Sequence, residues 1–402
     1  MSEAWARKPF IDCLDKSPKT SKIPKKRFQD RGQYPIVSQE KDLINGYWDN
    51  PDDVVRVDHP VIVFGDHTQA VKLIDFDFVV GADGVKILKP KPFLDPRYFY
   101  YFLIGHPVKA LGYARHFRLL KKLEVAIPSL AEQKRIVAIL DETFAGIETA
   151  IANSEKNLAH SREIFRSHLR QVFSCRVGRW TESTVRGLID TGVIAKPIDG
   201  NHGEVHPKKA DFQKSGVPFI MAADLVKGQV NQTTCHFISD HQAEKLRKGF
   251  AVDGDVLLSH KGTIGRSAVL KTEHDYVMLT PQVTYYRVMD RGTLINRFLF
   301  YCFQSPFFLQ EFSRIAGAGS TRAYIGITRQ QDLHISFPVS LEQQRAYVES
   351  FDALKVETSK LEMIYSQKLA ALEELKESLL QKAFTGELTA AGVEREVETA
   401  TA

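Results

Sequence analysis

One helix-opening motif occurs twice in this chain, and this repeat limits the possible folds more than any other feature. The motif reads PSLAEQKR over residues 128–135 and PVSLEQQR over residues 338–345, and each copy opens a long helical segment. One inserted residue keeps the two segments in register, so that Leu158 corresponds to Leu369. Self-similarity of this kind predicts a duplicated plan, in which a globular segment is followed by a long helix.

Both helical segments carry apolar residues at heptad spacing, which indicates two helices packed on each other as a coiled coil. The second has Phe351, Tyr365, Leu372 and Leu379 in one row. The first has an unbroken row, which consists of Val137, Phe144, Ile151, Leu158, Phe165 and Val172. Each helix is expected to span roughly 37 residues, or about 55 Å, and to end at a glycine. An alternative stays open, in which each helix packs only on its own globular segment.

The remaining segments alternate short apolar runs with turn residues, a pattern that predicts strands. The predicted strands are 34–37, 61–64, 76–80 and 85–88 in the first segment, and 217–220, 255–258, 267–270 and 283–286 in the second. Helices are expected near 95–104 and over about 293–315. The predicted fold class is α+β, with two globular domains of mixed sheet and helices, two long helices in an antiparallel coiled coil, and a pseudo-two-fold internal repeat. The predicted boundaries are 1–127 and 180–337 for the domains, 128–179 and 338–386 for the helices, and 387–402 for an acidic tail.

Composition excludes several classes of protein. With 43% hydrophobic and 26% charged residues, the chain has enough apolar surface to fold and too little charge bias for disorder. Its longest apolar runs, such as residues 298–303, are far shorter than the roughly 20 residues that cross a bilayer, so a soluble protein with no membrane partner is expected. Cys13, Cys175, Cys235 and Cys302 are too widely spaced for a disulfide framework or paired zinc ligands. They are interpreted as buried thiols of a cytoplasmic protein.

Polar loops occupy corresponding places in the two globular segments. Residues 38–41, 65–69 and 113–118 form these loops in the first segment, and residues 259–266 and 317–324 form them in the second. Glutamine can pair with an adenine edge, lysine and arginine with guanine or phosphate, and glycine amides can approach the nucleic-acid backbone closely. The loops are therefore expected to form a nucleic-acid surface in each domain, with ordinary solvated turns as the alternative.

The distribution of basic residues also suits a polyanionic partner. Residues 16–31 (KSPKTSKIPKKRFQDR) are interpreted as an arm that contacts phosphates, or else as a flexible charged loop. His202, His206, Lys208 and Lys209 form a smaller patch, in which the histidines are interpreted as polar loop residues and not as metal ligands. The net charge of +5 is small for this length and adds little by itself.

No motif in the sequence predicts catalysis. Residues 50–53 (NPDD) are the nearest match to the Asn/Asp-Pro-Pro-aromatic string of base methyltransferases, but they lack the second proline and the aromatic residue. Phosphate-loop, zinc-protease and serine-hydrolase motifs do not occur. Asp75, Asp77, Asp83 and Lys86 could form the carboxylate cluster of a nuclease, and this stays an alternative. The sequence otherwise predicts a chain that binds and positions without reacting.

The two helix-opening motifs, GDVLLS over 254–259 with KGTIGR over 261–266, and GST over 319–321 together resemble the specificity subunits of type I restriction-modification enzymes. The likeness covers essentially the whole chain. It implies that residues 1–127 and 180–337 are target-recognition domains, each reading one half of a split double-stranded DNA sequence. It also implies that the helices set the unread spacer and dock two methylation subunits. The first domain has VFGDHT over 63–68 where the second has LLS and GT, so the two halves are expected to read different sequences.

The resemblance further implies that this chain makes no bond itself and holds no cofactor. S-adenosylmethionine would be bound by the methylation subunits, and ATP and Mg by the motor and nuclease subunits. Two alternatives from other classes remain. A self-sufficient DNA-modifying enzyme with an unrecognised active site would transfer methyl groups alone, and a coiled-coil protein scaffold would have no salt-dependent DNA affinity.

Candidate DNA contacts divide into phosphate contacts, which give salt-dependent affinity, and base contacts, which give specificity. Arg322→Ala is expected to lower specific binding more than non-specific binding. No catalytic or metal-binding residue is assigned. The candidate DNA-contacting residues are Lys25, Lys26, Arg27, Gln39, His67, Thr68, Gln69, Arg115, Arg118, Lys208, Ser259, His260, Lys261, Thr263, Arg322 and Tyr324.

Overall fold

The computed structural model describes residues 5–389 except 19, 83, 113, 204–205 and 318–322. The chain forms two compact units, one made of residues 1–156 and 365–402 and the other of residues 157–364. Each long helix contributes one part to each unit, so the first unit is assembled from two separate stretches of chain. Most of the predicted acidic tail lies outside the described residues.

Small sheets and helices form the first unit. Its elements in chain order are β1 (Ala6–Pro9), β2 (Lys22–Ile23), β3 (Tyr34–Val37), β4 (Gly46–Trp48), β5 (Val54–Val55), β6 (Val61–Gly65), β7 (Val71–Ile74), β8 (Phe78–Gly81), β9 (Val85–Leu88), α1 (Pro96–Gly105), α2 (Phe117–Leu120), β10 (Glu124–Ile127) and the first part of α3 (Leu130–Cys175).

The strands of the first unit form two main sheets. Strand β6 is buried along its whole length and pairs antiparallel with β7 and β9, as expected for a continuous apolar run in a central position. Strand β3 pairs antiparallel with β4 and parallel with β8, which also carries β2 and β5. Strand β1 pairs with β10. Helix α1 begins after Asp95, whose carboxylate caps it by accepting hydrogen bonds from the amides of Arg97 and Tyr98 at 2.9 and 3.1 Å.

The second unit has a similar mixture of elements. They are the rest of α3, β11 (Trp180–Thr184), α4 (Val185–Asp190), β12 (Ile198–Asp199), β13 (Val217–Ile220), β14 (Leu225–Val226), β15 (Gln229–Val230), β16 (His236–Ile238), α5 (Asp240–Glu244), β17 (Phe250–Ala251), β18 (Val256–Ser259), β19 (Ser267–Val269), β20 (Val277–Leu279), β21 (Val283–Tyr286), α6 (Asn296–Gln304), α7 (Pro306–Ala316), α8 (Ile327–Gln330), β22 (His334–Pro338) and the first part of α9 (Leu341–Thr385).

Two main sheets also form the second unit. Strand β18 pairs antiparallel with β19 and β21, and β21 carries β12. Strand β13 pairs antiparallel with β16 and parallel with β20, which also carries β17. The single helix expected over 293–315 is wrong, because the chain breaks into α6 and α7. Pro306 cannot continue α6, and the Ser305 hydroxyl caps α7 by accepting a hydrogen bond from the Phe308 amide at 3.2 Å.

The long helices α3 and α9 have 46 and 45 residues, more than the roughly 37 expected. They begin before the heptad rows because a buried glutamine anchors each first turn to the adjoining domain. Gln133 Oε1 accepts from the Asp95 amide at 2.8 Å, and Gln344 Oε1 accepts from the Ile295 amide at 2.9 Å. Gln133 therefore corresponds to Gln344 and not to Gln343, which places the inserted residue inside the motif itself.

Within each unit, α3 and α9 contact each other as well as their own domain. In the first unit, Lys376 Nζ of α9 lies 3.7 Å from Glu148 Oε1 of α3. In the second unit, Arg162 Nε donates to Glu362 Oε2 at 3.4 Å, and His168 Nε2 lies 2.9 Å from Ser350 Oγ. The alternative in which each helix packs only on its own globular segment is therefore wrong.

Both cores join the helices to the sheets. Phe99 and Phe102 of α1 share one buried cluster with Phe144 of α3 and Leu380 of α9. Of the cysteines, Cys13, Cys235 and Cys302 are buried as predicted, whereas Cys175 is exposed. Cys175 ends α3, where the helix leaves its packed neighbours, and its expected burial was wrong.

Candidate nucleic-acid interface

In the first unit, the turn after β6 packs against the polar residues that follow β3. The His67 amide donates to Gln39 Oε1 at 3.3 Å, and the Thr68 hydroxyl donates to the Gln39 carbonyl. Thr68 is exposed, while Gln39, His67 and Gln69 are half-buried. Gln69 has a φ of 61°, a left-handed conformation that closes this tight turn back onto β6. These four candidate residues therefore lie together.

The basic turn of residues 25–27 adjoins this group. Lys25 forms an ion pair with Glu40, the neighbour of Gln39. The Arg27 guanidinium lies 4.8 Å from the ring centre of Trp48, while the turn stays exposed. Lys26 shares that turn. These cations are positioned to contact phosphate beside Gln39, although the ion pair with Glu40 neutralises part of the charge.

A second loop of the first unit, formed by residues 111–117, is tied to the same turn. His67 Nδ1 lies 3.2 Å from the Ala114 carbonyl, and the buried His116 ring lies 2.9 Å from the Asp66 carbonyl. Asp66 Oδ1 also accepts from the Phe117 amide at 2.8 Å. Arg115 in this loop and Arg118 in α2 are exposed, so their predicted contact with DNA is sterically open.

In the second unit, the turn after β18 is closed by Ser259 and His260, and both side chains are 0% exposed. The Ser259 hydroxyl donates to the Thr263 carbonyl at 2.7 Å and accepts from the Arg266 amide at 2.9 Å. His260 Nδ1 lies 2.9 Å from the Ile325 carbonyl. The predicted direct DNA contacts of Ser259 and His260 are therefore corrected, because neither side chain reaches the surface. They position the loop instead.

Burial explains the electrostatic state of His260. Desolvation lowers its pKa below the ordinary histidine value, although the bond to the Ile325 carbonyl acts in the opposite direction. Its Nε2 atom is buried and has no hydrogen-bond partner among the described residues. The ring is consequently neutral at pH 7 and contributes no charge to the surface.

In the loops 259–266 and 317–324, the exposed candidate residues are Lys261, Thr263 and Tyr324. Lys261 and Tyr324 form an isolated β-bridge, and Lys261 Nζ lies 5.9 Å from the centre of the Tyr324 ring. The loop after β18 is thus joined to the segment before α8, as the sequence predicted. Arg322 falls outside the described residues. Lys208 is exposed at a separate short turn.

Sequence reasoning missed a polar cluster that connects each domain to its long helix. In the first unit, the Arg97 guanidinium and the Tyr101 hydroxyl donate to Asp141 Oδ1 at 3.0 and 2.6 Å. In the second unit, Arg297 Nη2 donates to Asp352 Oδ1 at 2.5 Å and Tyr301 donates to the same oxygen. The signal was present, because each arginine precedes its tyrosine by four residues, the spacing of one helical face.

Two buried charged residues, Lys72 and Asp199, were also not predicted from the sequence. Lys72 of β7 donates to the carbonyl of Ser38 at 2.9 Å, and burial lowers its pKa. Asp199 in the second unit binds His202 Nε2 at 2.8 Å and pairs with Lys248. A lysine or aspartate alone in a polar stretch gives no signal that the fold will bury it.

Of the carboxylates considered for a nuclease, Asp77 has other partners. Asp77 Oδ2 accepts from Arg56 at 2.6 Å and its Oδ1 accepts from the Val57 amide at 2.8 Å, which lowers its pKa. Asp83 is outside the described residues. In the described part of the chain, no group of three or more His, Cys, Asp and Glu side chains could hold a metal ion. None of the described helices is both long and apolar enough to cross a membrane.

Each unit therefore presents exposed lysine or arginine side chains on loops that histidine rings hold in place. Cations beside hydrogen-bonding side chains on such loops are typical of the class of proteins that bind nucleic acid.

Comparison with known proteins shows what the chain is similar to. Residues 5–157 match the type I restriction modification DNA specificity domain. The chain is 22% identical to the type I restriction enzyme EcoBI specificity subunit of Escherichia coli, over 86% of this chain and 75% of that protein. It is 27% identical to the EcoR124I/EcoR124II specificity subunit of Escherichia coli, over 56% and 57%. The chain is therefore similar to type I restriction-modification specificity subunits, most directly over residues 5–157.

Solved structures show the same fold. A chain from a type I restriction-modification system, solved to explain complex assembly and conformational transition, has a TM-score of 0.70 and 18% identity, and the match covers 96% of this chain and 98% of that one. The HsdS subunit from Thermoanaerobacter tengcongensis has a TM-score of 0.52 and 18% identity, covering 96% and 97%.

Proposed function

We propose that this chain is the non-catalytic subunit that gives a type I restriction-modification complex its DNA sequence specificity, and that each unit reads one half of a bipartite target. The observation that carries the proposal is the loop arrangement of the two units. In each, the turn after a buried central strand is tied through a histidine Nδ1 to a backbone carbonyl of a second loop, Ala114 in one and Ile325 in the other.

The strand pairing supports an internal repeat. The parallel pair β3 and β8 corresponds to β13 and β20, and the triplet β7-β6-β9 corresponds to β19-β18-β21. The Arg-Tyr-Asp clusters and the anchoring glutamines also occur once in each unit. A pseudo-two-fold chain of this kind suits a target with two half-sites, since each reader can contact its own stretch of duplex.

The long helices are proposed to pair as an antiparallel coiled coil that sets the spacer and docks two methylation subunits. Support comes from the contacts between α3 and α9, in which Arg162 reaches Glu362 while His168 reaches Ser350. Higher numbers in one helix meet lower numbers in the other, as antiparallel packing requires. Methylation subunits would bind S-adenosylmethionine, and motor and nuclease subunits would bind ATP and Mg. The complex would act in the cytoplasm.

The test combines the full chain with its methylation subunits and maps which adenines become protected from later modification. A bipartite pattern with a fixed gap is expected. Lys261→Ala should weaken binding to that sequence, with Thr272→Ala as the control, because Thr272 pairs with Gln232 away from the loops.

Three results would count against the proposal. Methyl transfer by the purified chain alone would favour a self-sufficient enzyme. Absence of salt-dependent DNA affinity would favour a protein scaffold. Protection of a single continuous sequence would reject the two-reader arrangement.

A further inference from the structure

A cavity of about 430 Å³ opens in the second unit between the two long helices and the loops near β15 and β19. Its volume lies within the range of small-ligand pockets, roughly 300 to 1,000 Å³. It adjoins the loop of residues 259–266, since Gly265 and Arg266 line it, but the candidate DNA contacts Lys261 and Tyr324 do not. The charged residues that line it are Arg162, Arg166, Lys227, Arg266, Lys355 and Glu362.

These residues give the cavity a strong excess of positive charge. Five cations come from four separate parts of the chain, and the one carboxylate, Glu362, already accepts a hydrogen bond from Arg162 at 3.4 Å. Like charges collected in one cleft repel each other and focus a field that attracts anions. The hydroxyls of Thr358 and Ser359, also in the lining, can donate further hydrogen bonds.

Lys355 is the least solvated of these cations. Its Nζ lies 5.0 Å from the centre of the Phe300 ring, and no ion pair among the described residues includes it. Burial, together with the nearby Arg297 guanidinium, lowers its pKa to about 8, although the Asp352 carboxylate acts in the opposite direction. A methyl group on Gly228 would lie 2.5 Å from Nζ, so the backbone leaves this ammonium little room to turn away.

Helix packing does not demand these charges. In the register set by Gln133 and Gln344, Lys355 corresponds to Phe144, and Arg162 and Arg166 correspond to Glu373 and Glu377. The first unit has an aromatic ring and two exposed carboxylates at these places. Arg162 bonds to Glu362 across the two helices, but no ion pair among the described residues includes Lys355 or Arg166, so helix packing does not account for these two cations.

We propose that this cavity binds phosphate with a total of two or more negative charges, either the phosphate groups of a free phosphorylated small molecule or neighbouring phosphodiesters of a DNA backbone. Several guanidinium groups around one site suit bidentate contact with phosphate oxygens. A ligand with a single carboxylate group would neutralise too little of the positive charge of the cavity. The proposal does not rest on base reading, since none of the candidate base contacts lines the cavity.

The test uses the full chain without DNA and titrates inorganic pyrophosphate by calorimetry. Saturable binding is expected, with about a tenfold loss in Lys355→Met and in Arg166→Ala, since each removes one charge-assisted contact. The matched control is Lys376→Met, because Lys376 lies 5.1 Å from the Phe144 ring in the first unit and should not affect binding. Circular dichroism establishes that each variant is folded, and the exposed Arg166 gives a second readout if Lys355→Met is not.

A random-sequence duplex distinguishes the two sources. If Lys355→Met also weakens duplex binding, the phosphate belongs to DNA, and if duplex affinity is unchanged, it belongs to a free ligand. Absence of pyrophosphate binding together with unchanged duplex affinity in both variants would overturn the proposal. Equal binding of acetate and pyrophosphate would overturn it too, because the site would then not select for charge. A base-reading variant such as Tyr324→Ala should leave the pyrophosphate titration unchanged, so failure of this proposal is distinguishable from failure of DNA recognition.

Discussion

At the scale of single residues, an aspartate on each long helix connects that helix to its domain. Asp352 accepts hydrogen bonds from both Arg297 and Tyr301, and Asp141 does the same for Arg97 and Tyr101. Burial and the hydrogen bond to Asp352 raise the pKa of Tyr301, so its hydroxyl remains a donor at all ordinary pH values. Removal of the aspartate leaves a partly buried guanidinium without its partner.

Asp352→Asn is expected to destabilise the second unit by about 1 to 3 kcal/mol. The loss stays in this range because the side chains of Arg297 and Asp352 both retain some exposure to solvent. Urea unfolding followed by tryptophan fluorescence measures it. The control is Glu357→Gln, which removes an exposed pair with Lys360 and should change the free energy of unfolding by no more than about 0.5 kcal/mol. Equal effects of the two variants would contradict the assigned role of Asp352.

Lys355→Met is expected to stabilise the folded chain at pH 7 and to lose this advantage at high pH. The pKa of Lys355 is about 8 when folded, against roughly 10.4 when unfolded, so the unfolded chain holds more protons between these values. The penalty for the buried charge is complete below pH 8 and disappears as the pH rises toward 10.4. Thermal melts from pH 7 to pH 10 measure it. A stability difference that is constant over this range would reject the buried-charge explanation.

At the scale of elements, strands were easier to predict from the sequence than helix ends. Strands such as β3 and β9 were predicted at their observed bounds, because each is a short apolar run between turn residues. The prediction of one helix over 293–315 was wrong at Pro306. The apolar pattern continues through this residue, but a proline cannot continue the helix. Two-residue strands such as β5 and β17 were not predicted, because pairing with a distant strand and not local pattern defines them.

Gly84→Ala is expected to weaken DNA binding through the turn after β6. Gly84 has a φ of +86°, and a methyl group there would lie 2.6 Å from Gln39 Oε1 and 2.9 Å from the His67 ring. The control is Gly112→Ala, since Gly112 has a φ of +66° with nothing within 4 Å of the added carbon. Both variants bear the strain of a left-handed alanine, about 1 kcal/mol, and only the first displaces the candidate contacts.

Fluorescence anisotropy with the protected sequence and with random duplex measures the effect. Gly84→Ala should lower the affinity for the protected sequence about tenfold more than Gly112→Ala does, as expected for the loss of one base contact. Equal losses in the two variants would show that backbone strain alone is responsible.

At the scale of the whole molecule, the alternation of mixed helix-and-sheet segments with two long helices was the most predictable property, and the roles of single side chains were the least predictable. The long helices were visible because their apolar rows survive as patterns of residue type. Burial of Ser259 and His260 was not visible, since the same residue types serve in exposed and buried loops. A polar residue after a strand can lie on either side of the turn that it closes, and only the tertiary contacts decide which.

Gln39→Ala and Tyr324→Ala are expected to relax specificity in different halves of the target. Each should change tolerance to base substitutions in one half only, with a loss of about 1 to 3 kcal/mol per altered base pair. The double variant should show the sum of both losses within about 0.5 kcal/mol, because the two residues belong to separate units. Competition binding against a set of singly substituted duplexes measures this.

Lys208→Ala serves as the control for this comparison. As a candidate phosphate contact outside the loop cluster, it should lower affinity uniformly across the set. If Gln39→Ala and Tyr324→Ala changed tolerance at the same base pairs, the assignment of one half-site to each unit would be wrong.

The first unit is built from one chain segment that precedes the second unit in the sequence and one that follows it. This order affects how the protein folds during translation. Phe384 packs edge-on against Tyr98 with ring centres 5.3 Å apart, and Leu388 is buried beside it. A ribosome delivers these residues after it has finished the whole of the second unit. Part of the apolar surface of the segment translated first therefore stays uncovered until then. A chain truncated before residue 365 would have an amino-terminal domain with an incomplete core.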